Sequence, residues 1–203
     1  MRNAVRNSLT IGVAVLALGA LARPLGGQTL FALGETAALD FSGTMAGSPY
    51  YAPGSDEVYL HVDVGDKRLR VMKDRRVLHD FPVAVGKGYF LRPDASEQGW
   101  HFATPTGVFS VGRKEEDPVW YAPDWHFIEK GLRVPAADSR ARYFPGEMGD
   151  YALYLGDGLA IHGTKYENTV GRASSHGCLR MRGDHISTIY PMMKIGTKVI
   201  ITS

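Results

Sequence analysis

From Glu57 onward hydrophobic and polar positions alternate. Val58, Leu60, Val62 and Val64 fall on one side of an extended chain and Tyr59, His61 and Asp63 on the other, which is the period of a half-buried strand. Gly65-Asp66 then supplies a turn. Strand patterns continue over 69–72 and 77–85 around Asp74-Arg75-Arg76, so the opening of the domain is expected to be a β-meander. Further strand signals fall at 107–111, 152–155, 159–162 and 198–201. Helical signal is confined to one place, where Asp184 is expected to cap a short helix running to about Met192 and Pro191 to end or kink it. Without βαβ alternation, the fold class is mainly β. Two long loop-like stretches, 87–104 and 113–150, interrupt the strands. The second carries Trp120, Tyr121, Trp125, Phe127, Tyr143 and Phe144 and is expected to be a lid or binding loop walling an elongated ligand.

The pattern before residue 57 is different. Arg2 and Arg6, with no acid near them, precede the apolar run 9–22, the order of a secretory signal, and Ala20-Leu21-Ala22 fits a small-x-small cleavage site. That run of 14 residues is short against the ~20 that span a bilayer as a helix. Residues 1–22 are therefore read as a signal peptide or an N-terminal membrane anchor, and the protein as exported, to the periplasm or cell envelope. Residues 23–56, rich in Gly, Pro, Ser and Ala, read as a flexible tether. The rest, 57–203, is one domain.

Charge adds little: 23 basic against 21 acidic residues leave a net +2, which gives no electrostatic case for nucleic acid. Cysteine usage adds more. Cys178 is the one cysteine among 203 residues, so it cannot close an internal disulfide and is a free thiol, a metal ligand or a small buried hydrophobe. In an oxidising compartment an idle thiol is a liability, which favours a thiol that is used. His162 lies 16 residues upstream in Ile161-His162-Gly163. It would lower the thiol pKa by forming a thiolate–imidazolium pair, with the Gly163 carbonyl fixing the imidazole tautomer in place of an acid. Amides at Gly177 and Cys178 are candidate oxyanion donors, and Arg180 is placed to hold a carboxylate. Zinc held by Cys178, His176 and His162 is an alternative, but no Cys-x-x-Cys or His-Glu-x-x-His pattern supports it. No metal or cofactor is assigned.

Ile161-His162-Gly163 and Ser175-His176-Gly177-Cys178-Leu179-Arg180-Met181 together resemble the signature of the L,D-transpeptidase catalytic domain (YkuD-type). Thr104-Pro105-Thr106-Gly107 and the closing segment from Gly196 resemble it as well, so the likeness covers essentially all of 57–203. The resemblance implies a β-sandwich or barrel with one short helix after the cysteine. It also implies an envelope enzyme acting on peptidoglycan stem peptides, as donor and acceptor. Cys178 would be the nucleophile and His162 the proton donor and acceptor. Gly177, His176 and Gly163 would serve as oxyanion or orienting residues, with Ser175 and Arg180 at the substrate. Acceptors other than a stem are a free D-amino acid, a lipoprotein or water, the last making the protein an L,D-carboxypeptidase or amidase. A catalytically silent wall-binding module is the alternative of another class.

Overall fold

The computed structural model describes residues 57–93 and 99–203, together with the two-residue strands Leu39–Asp40 and Thr44–Met45, which pair with each other. The expected export segment 1–22 lies outside the described residues, as does the 23–56 tether apart from those two strands.

In chain order the principal strands are β1 (Val58–Asp63), β2 (Arg68–Lys73), β3 (Arg76–Pro82), β4 (Gly107–Ser110), β5 (Arg113–Glu116), β6 (Tyr151–Gly156), β7 (Leu159–His162), β8 (Leu179–Arg180) and β9 (Lys198–Thr202). They form a five-stranded sheet in the order β3-β2-β1-β9-β4 and a four-stranded sheet in the order β5-β6-β7-β8. The meander β1-β2-β3 is antiparallel throughout, as the alternation predicts. The closing strand β9 inserts parallel to β1 and antiparallel to β4, so the end of the domain seals its beginning. Leu60, Val62 and Leu69 of the first sheet meet Leu153, Ile161 and Leu179 of the second in one apolar core. Each such side chain withdrawn from water contributes roughly 1.5–3 kcal/mol.

Strand β1 departs from the half-buried expectation. Tyr59 and His61, on the face predicted to meet solvent, are 1% and 3% exposed. Tyr59 joins Met72 and Ile200 in a second apolar cluster, and the His61 ring bonds the Thr202 hydroxyl at 3.1 Å. The buried imidazole is tolerated because it has that partner.

The helix after Cys178 is α2 (Gly183–Ile189), continued by a 3₁₀ turn at Tyr190–Met192 that accommodates Pro191. Ile186 and Ile189 enter the main core. Asp184 is not its cap: the extended Arg182 occupies that position, and the Asp184 carboxylate accepts from the His185 amide at 3.0 Å within the first turn.

The 113–150 stretch is more ordered than a loop. After β5 it pairs Val119–Tyr121 antiparallel with Tyr143–Pro145, and between them lies a second helix, α1 (Asp124–Glu129). Arg142, 4% exposed, ties this insertion together. Its guanidinium donates to the carbonyls of Ala122 (3.0 Å), Pro135 (2.6 Å) and Ala136 (3.0 Å), and to the Asp124 carboxylate (2.7 Å). While the Ala136 carbonyl keeps the Ser139 amide, Arg142→Met removes these bonds from the Ala122 and Pro135 carbonyls and from Asp124. It is expected to lower the unfolding free energy by about 2–3 kcal/mol, read by urea titration, with amide exchange quickening first across 119–145.

Candidate active site

Strand β8 lies parallel to β7, with Ile161 opposite Leu179 and His162 opposite Arg180. Ile161 and Leu179 are wholly buried in the core. Because side chains alternate along a strand, Ala160 and His162 of β7 and Cys178 and Arg180 at β8 all project from the opposite face. They line one cleft of about 720 Å³, which His176 and the insertion's Trp120 and Trp125 also line. The parallel pairing thus joins two motifs 16 residues apart in sequence.

His162 is 6% exposed, and its Nδ1 lies 2.6 Å from the Gly163 carbonyl. That carbonyl can only accept, so Nδ1 carries the proton and Nε2 is left as a base. A side chain at Gly163 would be tightly packed: a Cβ there would stand 3.1 Å from the Met148 carbonyl oxygen and 3.2 Å from the Gly149 Cα. Burial first, and then the charge of Arg180, pull the His162 pKa down to about 4, against the opposing carbonyls of Gly163 and Met148.

The Cys178 thiol donates to the Gly158 carbonyl at 3.4 Å. Burial pushes its pKa up, while the Ala160 backbone and the Arg180 charge pull it partly back. Desolvation thus works against both charges of the expected thiolate–imidazolium pair in the free protein.

The turn holding Cys178 is pinned from several sides. Ser175, expected at the substrate, is 0% exposed and instead donates its hydroxyl to the Cys178 carbonyl at 2.6 Å. Its Oγ also accepts from the Gly177 amide at 3.2 Å, so that proposed oxyanion donor is already engaged. Gly177 has φ +124°, which disfavours any side chain. Thr104, legible in the sequence only as part of the Thr104-Pro105-Thr106-Gly107 segment, supports the turn. Its Oγ1 donates to the Gly177 carbonyl at 2.8 Å while accepting from the Gly86 amide at 2.8 Å. Thr104→Val leaves both backbone groups unpaired and is expected to cost about 2 kcal/mol, measured by urea titration, with faster exchange of the Gly86 amide.

His176 lines the cleft, and its Nε2 meets Glu129 at 2.9 Å. Arg180 is half-buried and makes no ion pair or side-chain hydrogen bond among the described residues. Burial pulls its pKa down from the usual guanidinium range, and negative charge on Cys178, Glu147 or Tyr166 opposes that. Among the described residues no three His, Cys, Asp or Glu side chains gather to hold a metal ion.

A mainly-β domain whose parallel strand pair sets a cysteine, a histidine and an arginine into one aromatic-walled cleft is the class that this fold and site define. Residues 57–201 match the L,D-transpeptidase catalytic domain family (YkuD), and the chain belongs to it. YqjB of Bacillus subtilis is 31% identical over 150 residues, covering 74% of each chain. ErfK/SrfK of Escherichia coli is 31% identical over 144 residues, 69% of this chain but 42% of that protein's length. Both carry provisional L,D-transpeptidase names. Among solved structures, an L,D-transpeptidase from Xylanimonas cellulosilytica superposes with a TM-score of 0.53 at 21% identity, over 75% of this chain and 65% of that one, a likeness of fold.

Proposed function

We propose that this protein is an exported L,D-transpeptidase that transfers an acyl group from a peptidoglycan stem peptide through a thioester on Cys178. The observation that carries the reading is the common face of His162, Cys178 and Arg180 in a chain of this family. Cys178 Sγ attacks the carbonyl at the L-centre of the third stem residue as His162 Nε2 takes the thiol proton. With the Gly177 amide engaged, the Cys178 amide is the turn's donor to the developing oxyanion. As the C–N bond breaks, His162 returns the proton to the departing amine of the terminal D-alanine, leaving the thioester. An acceptor amine then attacks the thioester, His162 removes the amine's proton, and the thiol re-forms. Arg180, a half-buried cation with no acid paired to it, meets the donor's carboxylate.

Incubating the purified protein with a tetrapeptide stem is expected to release D-alanine and to add the mass of the acyl group at Cys178, seen by intact-protein mass spectrometry. Added amine is expected to discharge the adduct faster than water does. Absence of both release and adduct would overturn the reading, and discharge by water alone would make the protein a carboxypeptidase.

A further inference from the structure

We propose that Glu129, at the end of helix α1 in the 113–150 insertion, is a positioning residue that orients the Cys178 turn through His176. The inference rests on Cys178 being the reactive group of the site. Trp125 and Glu129 are four residues apart and so share one face of α1. Trp125 lies stacked on the His176 ring, with centroids 4.2 Å apart and planes at 21°. Glu129 Oε2 accepts from His176 Nε2 at 2.9 Å. The carboxylate itself is held from the 87–102 segment: the Tyr89 hydroxyl donates to Oε1, and Lys87 Nζ stands 4.0 Å away. Phe102 meets the imidazole edge-on at 4.6 Å. Thus the ring preceding Gly177-Cys178 is held by Trp125 and Glu129 of the insertion and by Phe102.

The second nitrogen makes this grip directional. His176 Nδ1 is buried with no hydrogen-bond partner. A proton there would be an unmet buried donor and would leave Nε2 with no hydrogen to give the Glu129 carboxylate, a loss of about 1–3 kcal/mol. Glu129 therefore selects the Nε2–H tautomer and fixes the ring's rotation about Cβ–Cγ. Without the acceptor oxygen both nitrogens lack partners, the ring has no preferred tautomer, and only stacking restrains the residue beside Gly177. The glycine's φ of +124° gives the adjoining backbone more freedom than a substituted residue would have. The insertion then sets nucleophile geometry as well as walling the cleft.

The test compares Glu129→Met, which keeps bulk without a good acceptor, with Glu129→Gln, which keeps an oxygen for Nε2–H. Two-bond ¹H–¹⁵N correlation spectra of the full chain are expected to show His176 as Nε2–H in the parent and in E129Q, and as a tautomer mixture in E129M. Alkylation of Cys178 by iodoacetamide, and kcat for acyl transfer, are expected to fall about tenfold in E129M with KM within about twofold, and to stay near the parent in E129Q. An unchanged tautomer in E129M, unchanged alkylation, or an E129Q as impaired as E129M would overturn the assignment. Should E129M not fold, Glu129→Ala is read in the same way. Failure of the parent to use a stem tetrapeptide would count against the transpeptidase reading alone, since the tautomer and alkylation readouts need no substrate.

Discussion

Replacing Cys178 by serine is expected to abolish acyl transfer, by at least about 10³-fold, while leaving the fold intact. The hydroxyl fits where the thiol sits and can keep the bond that Sγ donates to the Gly158 carbonyl, so little packing is lost. The chemistry is what changes. An alcohol is far less acidic than a thiol, and the buried cleft that already pushes the Cys178 pKa up would oppose an alkoxide still more strongly. His162, poised as a weak base, offers too little driving force to take the hydroxyl proton. The measurements are D-alanine release from a tetrapeptide stem and intact mass after incubation, with urea unfolding as the control for folding. Near-parental turnover in Cys178→Ser would remove the thiol from the mechanism. Unchanged attachment to cell walls would leave a binding module as the better account.

Local pattern carried the sheets further than it carried the insertion. The alternation over Val58–Asp63 specified a strand because each residue reports its own polarity. It could not report that Tyr59 and His61 would be covered as well, since burial of that face depends on Met72, Ile200 and Thr202, distant in sequence. The ladder joining Val119–Tyr121 to Tyr143–Pro145 was missed for a related reason. Three-residue strands are too short to show a period, and their pairing spans a segment held by one buried arginine. Helix α1, at six residues, is likewise below the length at which an apolar stripe is visible.

The site divides along the same line. Motif spacing brought His162, Cys178 and Arg180 to one place because a parallel pair of strands imposes that register. Residue identity did not say which way a small hydroxyl turns: Ser175 closes the turn rather than meeting substrate. Nor did it reveal that Glu129, 47 residues from His176, would complete the turn's support. The charge state of the dyad was least legible. Proximity of a thiol and an imidazole argues for an ion pair in water, whereas desolvation in the cleft works against both charges.

The downward shift at His162 sets the expected pH dependence. For a base to accept the thiol proton it must begin unprotonated, and His162 is unprotonated above its own pKa of about 4 in the free protein. The kcat/KM for acylation of Cys178 is therefore expected to hold nearly level from pH 7 down to about 5 and to fall as pH drops through about 4. An unperturbed imidazole would lose activity through about 6.5 instead. Arg180→Gln removes the second cause of the depression, so the acid limb should move upward in that variant. The larger cause, burial, remains and keeps the limb below that of a free imidazole. The Gln variant should also bind the donor more weakly, a loss in KM separable from the displaced limb. His162→Ala removes the base altogether and is expected to cost about 10²–10⁴ in rate and to abolish the acid limb. Time courses of adduct formation by intact mass at each pH supply the profile, with circular dichroism at the same pH values to show that the chain stays folded. A limb at 6.5 in the parent would mean that the imidazole is solvated before substrate arrives. Retention of the acid limb in His162→Ala would place the titrating base elsewhere.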